Sequence, residues 1–226
     1  METPAFRAQL ETEFEWRIKE LRFFQNLCEE LELETSRDQF RRATVLLLYS
    51  HFEGYCKFSF NLYVSAINSA GLLCNQVNSS VVTATLHDVF SKLRDGAGKA
   101  PEFKNALPDD SKLHKFALAR EFVERSAEIM GRPVFIPDQV VDTESNLKPI
   151  VLRKNLFRLG LPHDEFANFE PSINKLLAVR NKIAHGESRA GIEKSRYDEL
   201  RDSALQVMTG VTTGITRAFD EKKFMR

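Results

Sequence analysis

Between positions 176 and 187 the chain reads LLAVRNKIAHGE, and here residues capable of chemistry interrupt an apolar pattern. Ile173, Leu176, Leu177, Ile183 and Ala184 recur at three- and four-residue steps, the stripe of an amphipathic helix, which asks for an apolar residue at position 180. Arg180 stands there instead, followed at once by Asn181, with His185 five residues on and Gly186 closing the helix. Five steps of about 100° set Arg180 and His185 roughly 140° apart, so the two flank one groove, while Asn181 shares the ridge of His185. A guanidinium offers a permanently charged fork for oxyanions, an imidazole moves protons near neutral pH, and an amide can position either. The plain structural alternative makes Arg180 a buried ion-pair anchor to a carboxylate on another helix and His185 a C-terminal cap. On these residues alone both readings stay open.

The helices that must position this set are legible from periodicity and breakers. Thr3-Pro4 reads as a hydroxyl cap and first-turn proline for a helix to about position 34, seamed by Phe6, Leu10, Phe14, Ile18, Leu21, Cys28 and Leu31. Thr35-Ser36-Arg37-Asp38 reads as a break and cap, followed by a helix over 39–69 whose middle, VLLLYSHFEGYCKFSFNLYV, is apolar on nearly all sides. Within it Glu53 is the anomaly: a carboxylate at that depth needs a cation, and Arg180 is the first candidate, either oriented or merely neutralised by it. His51, about 200° round the helix from Glu53, reads as a capping or surface histidine. Positions 71–80 form a turn region and 81–93 a short helix ended by Asp95-Gly96-Ala97-Gly98. Pro101 and Pro108 bound a loop, Asp109-Asp110-Ser111 caps a helix to about position 130, Gly131-Arg132-Pro133 stops it, and 134–141 is a short extended piece. A helix over 144–159 with a Gly160-Leu161-Pro162 stop, the motif helix over 166–185 and a last helix over 191–219 complete the chain.

Arg180-Asn181-x-x-x-His185 with Gly186 resembles the Arg-x4-6-His signature of the HEPN superfamily, including the polar residue after the arginine. His51-Phe52-Glu53-Gly54-Tyr55 resembles the first core helix of its RiboL-PSP-HEPN branch, and 145–161 resembles the segment before the motif helix there. The matches span most of positions 40–220. The resemblance implies an all-α, HEPN-type helical bundle as a single domain over 1–226, with a core of about 1–70 and 144–226. A mostly helical insertion over about 71–143 is the expected seat of substrate or partner specificity. It further implies a metal-independent endoribonuclease, with no cofactor and no metal ligands, that pairs as a homodimer around the motif helices. Arg180, His185 and Asn181 are the expected catalytic residues, Glu53 a supporting one, and Lys182, Lys175 and Arg189 backbone contacts to RNA. RNA brings its own nucleophile, the 2′-hydroxyl, so the site needs an acid, a base and a cation, and should leave a 2′,3′-cyclic phosphate and a 5′-hydroxyl. Placement in the last helical turn would favour protonated His185 through the helix dipole and lean it towards the acid role or towards holding the phosphate. Proteins of this kind often act as toxins held by an antitoxin or other inhibitory partner, or as effectors of phage defence. One known control modifies a tyrosine two residues after the motif histidine; Glu187 occupies that place here. The competing expectation is a catalytically inactive RNA-binding or protein-assembly module of the same shape.

Composition sets bounds on both. Lys plus Arg and Asp plus Glu each total 32, so any nucleic-acid footprint must be a local patch. With 42% hydrophobic and 28% charged residues the chain is globular, and 18 Phe against 8 Pro and 10 Gly suit a helical protein with an aromatic core. Cys28, Cys56 and Cys74 read as buried thiols of a reducing compartment, without zinc-site spacing. No signal-peptide pattern opens the chain and no apolar run spans a bilayer, so a cytoplasmic address without membrane contact is expected. Walker, dinucleotide-binding and nucleophile-elbow motifs are missing, which leaves nucleotide hydrolysis, dinucleotide redox and serine hydrolase chemistry without support.

Overall fold

A computed structural model describes residues 1–94, 100–103 and 111–226. Asp95-Gly96-Ala97-Gly98, Pro108, Asp109 and Asp110, expected as breakers and caps, lie outside the described residues. The apolar seams fold as helices: α1 (Thr3–Glu30), α2 (Glu34–Asn68), α3 (Ser79–Thr85), α4 (His87–Arg94), α5 (Ser111–Glu124), α6 (Ser126–Met130), α7 (Pro149–Arg158), α8 (Glu170–Ala184) and α9 (Lys194–Asp220). Among the described residues the only β pairing is two isolated bridges, Leu73 with Pro133 and Val77 with Met225, so the fold is all-α.

α2 is the axle, packed against α1, α8 and α9, which explains why it is apolar around its circumference. Its Tyr49, Phe52, Tyr55, Phe60 and Tyr63 are all buried. The Tyr55 hydroxyl meets Thr212 on α9, and Phe6 of α1 stacks on Phe219 of α9 at 4.3 Å. Cys28, Cys56 and Cys74 are free and buried. No helix among the described residues is long and apolar enough to cross a membrane.

Several helix ends depart from the sequence reading. Thr3 is the first residue of α1 and gives no cap; Glu2 holds the N-cap position. α1 stops at Glu30 and not near position 34, because Arg37 reaches back to the carbonyls of Leu31 (2.8 Å) and Glu29 (3.1 Å). Thr35-Ser36-Arg37-Asp38 is no break: it lies in the opening turns of α2, where Glu34 and Asp38, each at 2.8 Å, pair the buried Arg41. The helix expected over 81–93 is two, with Leu86 between α3 and α4. The helix expected from position 144 begins only at Pro149, because Glu144 and Ser145 are left-handed (φ 50 and 60) and Lys148, preceding the proline, is extended. Gly160 ends α7 at φ 73, as its type requires. A 3-10 turn, Ala167–Phe169, leads into α8, and α9 starts at Lys194 rather than near position 191.

His51 is not at the surface. It is 4% exposed, its ring set edge-on to Trp16 at 5.3 Å. Its Nε2 lies 2.8 Å from a Glu20 carboxylate oxygen, a contact that becomes an ion pair only when the ring is protonated. Burial pushes its pKa down, Arg17 adds to that, and Glu20 opposes it. Arg17, also buried, donates to the His51 carbonyl (3.2 Å) and to Glu13 (2.6 Å). Gly54 leaves the room this needs: a Cβ there would sit 3.1 Å from an Arg17 nitrogen.

Across 71–143, Cys74, Val77, Val81, Ala84, Val134, Ile136, Val140 and Val141 join the same apolar cluster as α2, α8 and α9. Asn68 at the end of α2 clasps Ile136 in both directions (2.8 and 3.0 Å). The outer helices α4, α5 and α6 stand outside that cluster, with Phe90 against Phe122 at 5.4 Å.

Candidate functional site

α8 buries Ile173, Leu176, Leu177 and Ile183, which sets Arg180 at the edge of the core, half-buried. His185 is the C-cap, exposed, its N–H donating to the Asn181 carbonyl at 2.9 Å. Gly186 follows at φ 71, the left-handed residue that turns the chain off the helix. The strand of loop beyond is strapped to the first turns of α2. Arg42 donates twice to the Ser188 carbonyl (2.7 and 3.1 Å), Gln39 donates to that of Arg189 (3.3 Å), and the Ile192 N–H to that of Asp38 (2.9 Å). Gly191 fits because a Cβ there would lie 2.4 Å from the Asp38 Cβ. The histidine is thus fixed from both sides by backbone, while its ring makes no hydrogen bond to the described residues.

Arg180 is held by three elements. Its Nη1 donates to the Asn146 side-chain oxygen (2.8 Å) and to that of Asn181 (2.9 Å), and its guanidinium carbon sits 4.7 Å from the Tyr49 ring centroid. Asn146 stands in the turn before α7, where its N–H donates to the Thr143 carbonyl at 2.9 Å. The neighbouring Leu147 N–H donates to the Tyr49 hydroxyl at 2.8 Å. No carboxylate among the described residues comes within ion-pair reach of Arg180, and its Nε and Nη2 have no protein partner there.

The expected Glu53–Arg180 ion pair is therefore not formed. Glu53 is half-buried one turn along α2 from Tyr49, and the tyrosine ring takes the place against the guanidinium. Burial first, then the Glu53 charge, pushes the Tyr49 hydroxyl pKa up to about 12. Asn181 meets Arg180 directly, its oxygen spent on that contact. Lys175 is taken by Glu199 of α9, whereas Lys182 and Arg189 are exposed and form no ion pair among the described residues. Sequence reasoning missed Tyr49 and Asn146. The one available signal was that Asn146 lies inside the 145–161 segment already singled out.

The family model for RiboL-PSP-HEPN matches residues 12–216. No curated protein matches the chain, and no solved structure does. HEPN domains are commonly ribonuclease-related, often bind RNA and often dimerise, so the match suggests a nuclease-like or RNA-related role. With nine-tenths of its length under that model, and an all-α core built around α2, α8 and α9, the chain belongs to the RiboL-PSP-HEPN family.

Proposed function

We propose that this protein is a homodimeric, metal-independent endoribonuclease, acting as a toxin or phage-defence effector. The observation that carries this reading is Arg180 held without a carboxylate. Even a half-buried guanidinium kept only for stability is expected to find an opposite charge, since losing water without one is costly. Here neutral groups hold it and its charge stays available to the non-bridging oxygens of a phosphodiester.

In this mechanism the 2′-hydroxyl attacks the adjacent phosphorus, a base takes its proton, and an acid delivers a proton to the departing 5′-oxygen. The products are a 2′,3′-cyclic phosphate and a 5′-hydroxyl. His185 serves proton transfer, since an imidazole can give or take a proton near neutrality. Arg180 stabilises charge on the phosphoryl oxygens, and the amide nitrogen of Asn181 remains for a phosphate or 2′-oxygen. Glu53 acts at one remove, through Tyr49. One chain carries one such histidine, and two copies facing a shared cleft along α8 supply acid and base together. Lys182 and Arg189 contact the RNA backbone beside it. A partner protein that covers the cleft would act as antitoxin; with Glu187 two residues past His185, control by tyrosine modification has no acceptor there.

The test is incubation of mixed cellular RNA with the purified protein in EDTA, beside His185→Ala and Arg180→Ala proteins matched for helicity and dimer content. Cleavage by the wild type alone, with cyclic-phosphate ends, is the expected result. A wild type that binds RNA without cutting it would replace the proposal with a non-catalytic RNA-binding module. Full activity in a strictly monomeric protein would remove the shared cleft.

A further inference from the structure

We propose that Asn146 and Tyr49 are positioning residues that hold Arg180 in place without neutralising it, keeping one edge of its guanidinium for an anionic phosphodiester. The assignment rests on the reading of Arg180 as the phosphate-binding group.

A guanidinium has five N–H donors, and the way they are divided is informative. The two on Nη1 are both used, on the side-chain oxygens of Asn146 and Asn181 at 2.8 and 2.9 Å. The three on Nε and Nη2, which form the fork that matches two oxygens of a phosphate, have no partner among the described residues. A carboxylate in the place of Asn146 would hold Nη1 more tightly, yet it would cancel the charge that a phosphate must meet. An amide holds the same atom and cancels nothing.

Tyr49 serves both ends of the clamp. Its face lies under the guanidinium, and its hydroxyl accepts the Leu147 N–H, so the ring also anchors the turn that carries Asn146. Its hydroxyl stays protonated through neutral pH, so no phenolate forms beside Arg180. Glu53 forms no ion pair with the guanidinium, and its charge acts on the Tyr49 hydroxyl. Each contact is neutral, and together they come from α2, the turn before α7, and α8 itself.

The experiment compares full-length wild type with Asn146→Asp, Asn146→Ala and Tyr49→Phe. Three quantities are read: affinity for a 2′-O-methyl RNA oligonucleotide, which cannot be cleaved, cleavage of the matching RNA, and melting temperature. Asn146→Asp keeps the shape and gains an ion pair, so it should melt no lower than wild type. It should nevertheless bind the oligonucleotide about tenfold more weakly and cut about 100-fold more slowly. Asn146→Ala loosens the arginine without cancelling it and should fall between the two, as should Tyr49→Phe, which keeps the ring and loses the tie to Leu147. A merely structural role predicts the reverse order, with Asn146→Asp equal to wild type and Asn146→Ala worst, and that result overturns the proposal. If Asn146→Asp does not fold, Asn146→Ala decides: cleavage and affinity at wild-type level would overturn it. A wild type that binds and loses affinity on Asn146→Asp but never cuts RNA would sink the ribonuclease reading and leave the clamp standing. A wild type that cuts, with Asn146→Asp cutting equally well, would do the opposite; one that neither binds nor cuts would end both.

Discussion

At the scale of single residues the cations near the motif are not equivalent. Arg180 presents a fixed fork and Lys at that position would present a point charge. Arg180→Lys is expected to lower cleavage about 10²- to 10³-fold with the fold and dimer intact, measured as single-turnover rates at saturating RNA. Lys182 and Arg189 stand exposed and without an ion pair among the described residues, so their joint replacement by Ala should weaken RNA binding across sequences and reduce its salt slope by about 1 to 2. Lys175→Ala should reduce that slope less than either, because its ammonium is paired with Glu199, a carboxylate it shares with Arg196. A titration of affinity against salt separates these three lysine and arginine positions.

Among the elements, the turn ahead of α7 has the most leverage on the site. Asn155, fully buried on α7, holds it: the amide donates to the carbonyls of Asp142 (2.7 Å) and Val151 (2.9 Å), and its oxygen accepts the Asp142 N–H (3.0 Å). Asn155→Ala leaves the Asp142 N–H and carbonyl unmet and should cost about 1–3 kcal/mol, seen as a lower urea midpoint. Because residues 142–148 carry both Asn146 and the tie to Tyr49, the same variant should lose cleavage out of proportion to its fraction unfolded. The strap from Arg42 and Gln39 to the 188–189 backbone has the matching role on the His185 side.

For the molecule as a whole, the α1–α2 seam links stability to acidity. His51 is buried between Trp16, Arg17 and Glu20, and its pKa lies below the ordinary 6.5, chiefly through burial. The unfolded chain therefore binds the proton more readily than the native one. This contribution to stability is fully present above about pH 6.5 and is lost as the pH falls below it. Urea midpoints taken between pH 7.5 and 5.5 should decline for the wild type, and His51→Gln should flatten part of that decline; equal slopes for the two proteins would contradict it.

By itself the sequence determined the helical class, the seams of α1 and α8, the all-round apolar α2 and the stop at Gly160, and it singled out Arg180 and Asn181 on α8 with His185 at its end. Each of these is written in near-neighbour spacing, where side-chain type and a period of 3.6 residues decide burial. It also singled out Glu53 and Arg180 as charges that burial must answer for. Only the tertiary structure decided what answers them. Asn146 is 34 positions from Arg180 and Tyr49 is 98 from Leu147, and partners that far apart leave no periodic trace. The sequence rule that a buried cation wants a carboxylate was sound as energetics; a ring face and two amide oxygens met the same need from three elements, and that choice exists only once α2, the turn before α7, and α8 are packed together.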